Sequence, residues 1–485
     1  MRLAELLSCL NEPNLQVADV EVTGITYDSR RVKPGNVFVC IKGFSHDGHA
    51  YANEAARKGA VAIIAERSIP ILGIPVVLVE DTRLALSKLA ERYFDEPTSK
   101  VRLIGVTGTK GKTTTTFLIR SILQKAGMKT GLMGTVLNIV GDDVQPVSHT
   151  TPEAPELCAA IAKMAASGCT HAVMEVSSHA IALKRVAGSR FKGAVFTNLS
   201  QDHLDFHGNM ESYFQVKASF LRGIATAAGP EYVAVNVDDP YGVRIAGELS
   251  EYAISYGIRE PAMIRATDVE VSPKGTRFKI GFPGGRSERV KAKLIGMFNV
   301  YNLLAASSVS FREGVKIEDI VEAIELFDGV PGRFESIDEG QDFTVVVDYA
   351  HSPASLENVL LTARELGPER IITVFGCGGD RDRSKRPIMG EVVSRLSDYA
   401  IVTSDNPRSE EPEEIIKEIL PGFRTSAYEV IPDRGEAIFR ALNMAKSGDF
   451  VLIAGKGHET YQVLKDRAIH FDDREVARDV LRRLK

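Results

Sequence analysis

The stretch that most constrains the fold is GVTGTKGKTTTT, residues 105–116, which directly follows the apolar segment KVRLIG. A strand that runs into a glycine- and lysine-rich loop and then into a helix is the context of a phosphate-binding loop. Gly108 and Gly111 would let backbone N–H groups converge on an anion at the helix N-terminus. Lys112 would reach the β- and γ-phosphates, and the Thr113 hydroxyl would hold Mg²⁺. The sequence therefore predicts a nucleotide-binding α/β protein.

The loop departs from the common pattern G-x-x-x-x-G-K-[ST], because Val106 stands where that pattern has its first glycine. A glycine-rich turn with solvated lysines is the alternative interpretation, but the strand before the loop and the helix after it favour phosphate binding. No N-K-x-D motif is present, which weakens a GTPase interpretation. FGCGGDR, residues 375–381, fails as a dinucleotide fingerprint, since G-x-G-x-x-G would need glycine at Arg381. The sequence thus predicts a nucleotide and leaves its use open.

A chain of 485 residues exceeds one comfortable core, so we expect about three domains. Strands of nearly continuous β-branched residues alternate with helical patterns, which indicates mostly parallel sheets covered on both faces. The alternation restarts after GVPGRFE, and residues 266–296 suggest a small antiparallel excursion. We predict an N-terminal α/β domain over 1–98, a central phosphate-loop domain with a parallel sheet over 99–332, and a Rossmann-like C-terminal domain over 333–485.

Composition excludes several classes of protein. The formal net charge of -5 gives no reason to expect nucleic acid as a partner, because nucleic-acid binding favours a basic footprint. No apolar run approaches the roughly 18 residues of a membrane helix. The N-terminus is too short and acidic for a signal peptide and resembles an amphipathic helix. Five cysteines with no C-x-x-C pair argue against a disulfide framework or a zinc site. We therefore expect a cytoplasmic protein without a membrane span.

Two polar clusters follow buried strands of the central segment. MEVSSH contributes Glu175, Ser177 and His179, and TNLSQDHLDFHG contributes a second set: Asn198, Asp202, His203, Asp205 and His207. In an open parallel sheet the carboxyl ends of the strands face one crevice, here the crevice of the phosphate loop. A single histidine is more often structural than a ligand, but two clusters at adjacent strand ends favour function. They predict a second Mg²⁺ site.

Eleven motifs in order resemble those of the Mur ligases: GTKGKTTT, HTTPEAPE, MEVSSHA, TNLSQDHLDFHG, YFQVKASFL, FNVYN, GVPGRFE, DYAHSP, GCGGDRDRSKRP, DNPRSEEP and AGKGHE. The resemblance covers essentially the whole chain, and G-T-x-G-K-T is the form that the loop takes in that family. It implies a domain that grips a UDP-linked substrate, a central ATPase and a C-terminal domain that brings an amino acid. It also implies an ADP-forming ligase of peptidoglycan precursor synthesis, which we expect to be monomeric.

The resemblance implies residues for each substrate. ATP would be bound by Gly108, Thr109, Lys110, Gly111, Lys112, Thr113, Thr114, Asn302, Arg333, Asp348 and His351. UDP-N-acetylmuramoyl-L-alanyl-D-glutamate would be bound by Ser29, His149, Thr150, Thr151, Ser177 and Arg185. The amino acid, meso-diaminopimelate, would be bound by Arg381, Asp405, Asn406, Pro407, Arg408, Gly455 and Glu459. These assignments are expectations carried over position by position.

The resemblance further implies catalytic and metal positions. Lys112, Lys217, Glu175 and His203 would be catalytic, and two Mg²⁺ ions would be held by Thr113, Glu175, His203 and Lys217. Lys217 matches the lysine that this family carbamylates. A free ammonium there would repel a cation, whereas a carbamate acts as an extended carboxylate. Read without the family, Lys217 is an ordinary lysine of an amphipathic helix.

The motif DNPR, residues 405–408, bears on the choice of amino acid. The guanidinium of Arg408 would pair with the distal carboxylate of diaminopimelate, whereas it would only repel the ammonium of lysine. Taken alone, DNPR is a plain Asn-Pro turn after a strand. Two alternatives stay open: a Mur ligase that adds L-lysine, and a nucleotide-dependent regulatory or binding module, which would need neither a second metal nor an amino-acid pocket.

Overall fold

The structure, a computed structural model, describes residues 1–10, 20–43, 46–71, 73–145, 147, 149–225 and 231–484. It divides into two compact units. The first unit comprises Met1–Thr267, Lys279–Val290 and Val300–Ile324, and the second comprises Asp268–Phe278, Lys291–Asn299 and Glu325–Lys485. The predicted domain bounds at residues 98 and 332 stay predictions. Among the described residues, no helix is both long and apolar enough to cross a bilayer.

The first unit begins with a four-stranded parallel sheet in the order β1-β2-β3-β4. Side chains alternate between its faces: Val37 and Ile64 belong to one buried cluster, Phe38 and Ile63 to another. Strands buried on both faces need cover on both, as the near-continuous apolar runs predicted. The elements are β1 (Gly24–Thr26), β2 (Asn36–Val39), β3 (Ala62–Ala65), β4 (Val76–Leu78), α1 (Leu3–Leu7), α2 (Ala52–Arg57) and α3 (Thr82–Tyr93).

The strands that follow are β5 (Arg102–Thr107), β6 (Thr130–Met133), β7 (Asn138–Val140), β8 (Asp143–Gln145), β9 (His171–Glu175), β10 (Phe191–Phe196), β11 (Tyr232–Asn236), β12 (Ala253–Gly257), β13 (Ile264–Ser272), β14 (Gly275–Gly281) and β15 (Ser287–Ala292). The order β12-β11-β10-β5-β9-β6 is parallel throughout, and β7 and β8 continue it antiparallel. Strands β13 to β15 lie where the excursion was predicted, and both units contain parts of them.

The helices along this stretch are α4 (Lys112–Lys125), α5 (Ala154–Ala166), α6 (Ser178–Ala182), α7 (Leu204–His207), α8 (Met210–Ala225), α9 (Pro240–Glu248), α10 (Met297–Arg312) and α11 (Ile317–Leu326). Strand β5 lies between β9 and β10, and its residue Val106 is paired with Glu175. The carboxyl ends of these three strands are therefore side by side. This is the edge of the sheet at which the sequence placed the phosphate loop and both polar clusters.

The second unit contains a six-stranded sheet in the order β16-β17-β21-β18-β19-β20, parallel except for the edge strand β16. Its strands are β16 (Glu335–Ser336), β17 (Thr344–Asp348), β18 (Ile371–Phe375), β19 (Tyr399–Val402), β20 (Tyr428–Val430) and β21 (Phe450–Ala454). A separate antiparallel hairpin consists of β22 (Tyr461–Val463) and β23 (Ala468–His470). Val345 and Val346 belong to clusters on opposite faces, so the predicted doubly wound arrangement is confirmed.

The helices of the second unit cover those faces: α12 (Pro353–Glu365), α13 (Lys385–Leu396), α14 (Pro412–Ile419), α15 (Arg434–Met444) and α16 (Asp473–Leu484). Helices α12, α13 and α14 contribute to one cluster, α15 and α16 to the other. Sequence motifs follow the carboxyl ends of the central strands: DYAHSP spans the end of β17, GCGGDR follows β18, DNPR follows β19 and AGKGHE follows β21. Ligands of open α/β sheets bind at such ends.

Candidate active site

The phosphate loop connects β5 to α4 as the sequence predicts. Gly111 immediately precedes α4 with a φ of 86°, and Gly108 has a φ of 142°. A Cβ atom built on Gly108 would lie 1.9 Å from the Thr197 Oγ1, so a side chain there would clash with the neighbouring strand end. Glycine is therefore required at Gly108 by both backbone conformation and space. The N-terminus of a helix is a favourable place for an anion, because of its backbone N–H groups and the helix dipole.

The loop is fastened to the carboxyl end of β10. Thr197 Oγ1 donates to the Lys110 carbonyl at 2.7 Å, and Asn198 binds both the N–H and the carbonyl of Lys110, at 3.0 and 3.1 Å. The Thr109 N–H donates to the Asn198 carbonyl at 2.9 Å. Sequence reasoning placed Asn198 in a polar cluster without this role and missed Thr197. Thr197 directly follows β10, which is parallel to β5, and that position could have predicted its contact with the loop.

The ammonium group of Lys112 is held by backbone carbonyls of the phosphate loop. Lys112 Nζ donates to the carbonyls of Gly108 and Thr109, at 3.0 and 2.8 Å. Thr113 is buried at the start of α4. Asn302, which is predicted to bind ATP, accepts a hydrogen bond from the Thr115 hydroxyl of α4 at 3.4 Å. The structure thus brings Lys112, Thr113 and Asn302 to the N-terminus of one helix, together with Lys110 and Thr114.

Glu175 ends β9 and is 1% exposed. Its Oε1 accepts from the Thr135 backbone N–H at 2.7 Å, and its Oε2 accepts from the Thr135 hydroxyl at 3.1 Å. The Thr135 hydroxyl also contacts the Thr150 hydroxyl at 3.1 Å. Thr135 therefore joins a predicted metal ligand to a predicted substrate residue. The sequence analysis missed it, since a lone threonine after a short strand carries no pattern.

Lys217 lies on α8 and is buried against the phosphate loop. Its Nζ donates to the Gly108 carbonyl at 2.9 Å and to the Thr107 hydroxyl at 3.5 Å. Burial, and then the positive charge of Lys112, lower the pKa of Lys217 well below its ordinary value. A lowered pKa favours the neutral amine, which is the form that reacts with carbon dioxide. The carbamate on Lys217 stays a prediction.

The two polar clusters that follow β9 and β10 meet, as their strand-end positions predict. The rings of His179 and His203 lie 4.9 Å apart, and His207 stacks on Tyr213 at 4.9 Å. Burial lowers the pKa of His207 to about 4, so that it is neutral near pH 7. The Tyr213 hydroxyl contacts Thr109 Oγ1 at 3.3 Å and its ring faces Lys217 Nζ at 4.9 Å. Tyr213, which the sequence analysis did not single out, therefore connects these clusters to the loop.

Whether these residues fit Mg²⁺ follows from their donor atoms. Within the described ranges, no group of three or more His, Cys, Asp or Glu side chains is placed to hold a metal ion. The predicted set contains only Glu175 and His203 of those types, beside the Thr113 hydroxyl and Lys217. Mg²⁺ typically takes one or two carboxylates and completes its shell with water and substrate phosphates. The set fits that pattern, and a carbamate on Lys217 would supply the second anionic oxygen donor.

Four of the residues predicted to bind the UDP-linked substrate surround the end of β9. Thr151 Oγ1 donates to the Glu175 carbonyl at 2.8 Å and accepts from the Ser177 N–H at 3.1 Å. Arg185 Nη1 donates to the Thr151 carbonyl at 2.9 Å. Together with Thr150 these residues form one hydrogen-bonded group. His149 immediately precedes them in the chain, whereas Ser29 is buried at the start of a short 3₁₀ helix after β1.

In the second unit, three predicted ATP residues gather around Tyr349. The Arg333 guanidinium lies 5.0 Å from the Tyr349 ring centroid, and His351 Nδ1 lies 2.8 Å from the Tyr349 carbonyl oxygen. Asp348 accepts from the Phe334 N–H at 2.7 Å. Burial raises the pKa of Asp348, and the nearby Arg333 opposes that rise. Asn302, by contrast, belongs to the first unit.

The residues predicted to bind the amino acid converge from three strand ends. Asn406 Nδ2 donates to Glu459 Oε2 at 2.8 Å, and Arg408 Nη1 donates to the Gly379 carbonyl at 2.7 Å. A Cβ atom on Gly455 would lie 2.6 Å from Asp405 Oδ2, so that glycine permits the approach of the two loops. Pro407 belongs to the same loop. Arg381 is exposed after β18, and its guanidinium is 3.4 Å from the Asp380 carbonyl.

Three buried cations support these loops, and the sequence analysis assigned none of them. Arg434 forms an ion pair with Asp473 at 2.7 Å and donates to the carbonyls of Ala454 and Ser404, at 2.9 and 3.3 Å. Ala454 directly precedes Gly455, and Ser404 directly precedes Asp405, so Arg434 holds the backbone next to two residues predicted to bind the amino acid. The other two buried cations are Arg386 and Lys456. Such residues read as ordinary surface charges in sequence, and only the fold reveals their burial.

The sheets and the phosphate loop define an α/β protein of the nucleotide-binding class, and comparisons with known proteins narrow that class. Three family models match successive stretches: "Mur ligase family, catalytic domain" over residues 21–94, "Mur ligase middle domain" over 106–310 and "Mur ligase, glutamate ligase domain" over 332–457. The chain belongs to the Mur ligase family. It has that family's three-domain α/β architecture with a central nucleotide-binding domain, and it is an ATP-dependent ligase.

Curated relatives and solved structures agree with this assignment. The chain is 48% identical to a protein of Syntrophomonas wolfei subsp. wolfei named UDP-N-acetylmuramoyl-L-alanyl-D-glutamate–2,6-diaminopimelate ligase, over 99% of each chain. A protein of that name from Geobacillus thermodenitrificans is 46% identical, again over 99% of each. A solved structure of an enzyme of that name has a TM-score of 0.74 and 31% identity, covering 100% of this chain and 99% of that one. Membership of a ligase family removes the regulatory-module alternative.

Proposed function

We propose that this ligase joins meso-diaminopimelate to the D-glutamate γ-carboxylate of UDP-N-acetylmuramoyl-L-alanyl-D-glutamate, with conversion of ATP to ADP and phosphate, in the synthesis of peptidoglycan precursors. The relatives' names support both substrates. The observation that carries the amino-acid half is the meeting of the loop 405–408 with Glu459, which sets a guanidinium and a carboxylate in one group of loops. An amino acid with an ammonium and a second carboxylate matches those charges.

The first step belongs to the phosphate loop. A carboxylate is a poor electrophile, so the γ-carboxylate attacks the γ-phosphorus of ATP, the bond to ADP breaks and an acyl phosphate forms. Lys112, at the N-terminus of α4, would exchange its carbonyl partners for phosphate oxygens and neutralise their charge. Thr151, Ser177 and Arg185 would hold the dipeptide beside Glu175, which positions the carboxylate for attack.

The metal positions complete this step. We propose that Thr113, Glu175, His203 and carbamylated Lys217 hold Mg²⁺. When bound, Mg²⁺ neutralises the charge on the transferring phosphoryl group. Thr135 donates to both oxygens of Glu175, and Lys217 Nζ donates to the Gly108 carbonyl, which would hold the two side chains in position for the metal.

In the second step the amine of the amino acid attacks the acyl carbon, and phosphate leaves. Glu459 would hold the ammonium at the near end of diaminopimelate and Arg381 the near carboxylate, with Gly455 close by. Arg408 would pair with the distal carboxylate, which lysine lacks. We further propose that the protein acts as a monomer in the cytoplasm.

Phosphate release tests the proposal. The purified protein is given ATP, Mg²⁺ and the UDP-muramoyl dipeptide with meso-diaminopimelate, L-lysine or no amino acid, and the product is identified by mass spectrometry. We expect release that depends on the dipeptide substrate and is fastest with meso-diaminopimelate. A preference for L-lysine would replace the proposed amino acid, and release without any ligated product would contradict the proposed reaction.

A further inference from the structure

Lys456 lies in the loop between β21 and β22, and none of its surface is exposed. Its Nζ donates to Glu459 Oε2 at 3.1 Å, to the Tyr461 carbonyl at 2.5 Å and to Asn406 Oδ1 at 3.4 Å. An ammonium has three donors, and here each has a partner. Burying a lysine costs free energy unless it is paired and hydrogen-bonded in this way. The sequence analysis used its neighbours Gly455 and Glu459 but gave Lys456 no role.

The three partners of Lys456 belong to different parts of the proposed amino-acid site. Asn406 lies in the DNPR loop, and its Oδ1 also accepts from the Val463 N–H at 2.8 Å. The same Val463 accepts from the Arg408 N–H through its carbonyl at 3.0 Å. Lys456 thus connects the loop after β19, the loop after β21 and strand β22. Loss of the Lys456 ammonium would therefore affect both ends of the proposed amino-acid site, Glu459 at one end and the loop that contains Arg408 at the other.

The contact with Glu459 distinguishes this lysine from one that merely closes a loop. Lys456 Nζ and Asn406 Nδ2 both donate to the same carboxylate oxygen, Oε2 of Glu459. Among the described residues, none donates a hydrogen bond to Oε1. The Glu459 side chain is 16% exposed, whereas that of Lys456 is fully buried. A ligand can therefore reach the carboxylate but not the ammonium, and Lys456 would act through Glu459.

We propose that Lys456 is a positioning residue for amine recognition: it fixes one oxygen of Glu459 so that the other is presented to the ammonium of the incoming amino acid. This inference rests on the proposed function, because it takes Glu459 as the ammonium contact. Without Lys456 the carboxylate keeps only the Asn406 amide and gains rotational freedom. Binding of the amino acid must then also restrict the rotation of the Glu459 carboxylate, and this entropic cost weakens binding. ATP and the UDP-linked substrate do not use Glu459.

The primary test compares Lys456→Met with the parent enzyme by steady-state kinetics. A hydrogen bond to a charged group contributes about 1.5–3 kcal/mol, so we expect KM for diaminopimelate to rise about 10- to 100-fold. KM for ATP and for the UDP-linked substrate should stay within about twofold, and kcat should change less than KM. Lys465→Met is the matched control, since it removes one positive charge from the exposed turn of the same hairpin. It should behave as the parent does.

A double-mutant cycle with Glu459→Gln separates positioning from general loss of structure. If Lys456 acts through Glu459, the double variant should be no more than about twofold worse in KM for diaminopimelate than Glu459→Gln alone, because contacting residues couple. Multiplying effects, or a parent-like KM in Lys456→Met, would overturn the inference. Lys456→Gln, which keeps a donor, serves as the second variant. If neither variant folds, as judged by circular dichroism, Lys456 is structural and the inference is wrong.

The inference and the proposed function fail differently. If the parent enzyme ligates another amino acid, the proposed function is wrong, and the cycle is run with that amino acid, whose ammonium Glu459 would still bind. If the parent ligates diaminopimelate but the Lys456 variants show no coupling to Glu459, the proposed function stands and only the positioning role is overturned.

Discussion

The two units provide different hydrogen-bond partners for the lysine and arginine side chains around their proposed sites. In the first unit, Lys112 and Lys217 both donate to the Gly108 carbonyl of the phosphate loop. In the second unit, Arg386, Arg434 and Lys456 donate to carboxylates at 2.7–3.1 Å. A lysine that donates to an uncharged carbonyl can exchange that carbonyl for an anionic oxygen, whereas breaking a buried ion pair costs free energy. The first unit is thus arranged to receive anions, and the second to keep its binding groups in place.

This difference in hydrogen-bond partners suits the two units to different steps of the proposed reaction. Phosphoryl transfer needs a positive charge that neutralises the transferring phosphoryl group, which suits Lys112, while the proposed carbamate of Lys217 would hold Mg²⁺ for the same step. Amino-acid selection needs fixed groups that match one ligand, which suits Arg408 and Glu459 on their paired supports. Variants of the first unit should therefore affect the chemical step for every amino acid. Variants of Arg408 or Glu459 in the second unit should affect which amino acid is used.

The largest effect is expected for Lys112→Ala. Removal of the cation from the phosphate loop should lower kcat by at least about 10³-fold with the fold intact, because charge on the transferring phosphoryl group is no longer neutralised. Phosphate release measures this. Lys125→Ala, at the opposite end of α4, is the control and should retain parent activity. Near-normal ligation by Lys112→Ala would show that the loop does not act as assigned.

Lys217→Ala should follow, with a loss of about 10²-fold or more, because the proposed carbamate would no longer supply an anion near the metal. Short carboxylates such as formate or acetate should restore part of the activity, and they should not rescue Lys112→Ala. A mass increase that matches one bound carbon dioxide, lost on acidification, would support the modification directly. Full activity of Lys217→Ala in bicarbonate-free buffer would remove Lys217 from the reaction.

Arg408→Ala tests the second unit. Loss of a charge-assisted pair typically costs about 2–3 kcal/mol, so kcat/KM for diaminopimelate should fall by about 10²-fold. Discrimination against L-lysine should narrow, since a repulsion is also removed. Arg408→Lys should not restore the parent ratio, because a point charge lacks the planar fork. Arg395→Ala, which removes an exposed ion pair, is the control. An unchanged ratio in Arg408→Ala would place specificity elsewhere.

The smallest effect on activity is expected at Glu313, a buried carboxylate of the first unit away from the strand ends described above. Its hydrogen bonds to His171, Arg102 and Tyr232, which begin β9, β5 and β11, lower its pKa to about 2 despite burial. The folded pKa lies below the ordinary 4.5, so Glu313 stabilises the fold above that pH and the contribution is lost as pH falls towards 2. Glu313→Gln should lower the free energy of unfolding by about 2–3 kcal/mol at pH 7.

Urea titrations at pH 7 and near pH 3 measure that difference, which should shrink at the lower pH, while KM for all three substrates stays unchanged at 25 °C. A change in KM for the amino acid in Glu313→Gln would break the separation between the units. A difference in stability that stays constant with pH would show that the carboxylate charge is not what stabilises this end of the sheet.

Much of the fold and part of the site could be predicted from sequence. Near-continuous β-branched runs predict buried parallel strands, and polar residues after such strands predict a shared edge, which is why Glu175 and the histidines of 203–207 were found near the loop. Thr135, Tyr213 and Lys456 could not be found in this way. Their contacts depend on which strands neighbour β5 and β19 and on which side chains are buried. Local residue spacing predicts neither of these.

The most direct test of the division between the units is trapping of the acyl phosphate with hydroxylamine. The enzyme receives ATP, Mg²⁺ and the UDP-muramoyl dipeptide without any amino acid, and hydroxamate formation is measured in the parent, Lys112→Ala and Arg408→Ala. We expect hydroxamate at the parent rate in Arg408→Ala, which then ligates diaminopimelate poorly, and none in Lys112→Ala. Loss of the hydroxamate in Arg408→Ala would contradict the account, because amino-acid selection and phosphoryl transfer would then depend on the same residue.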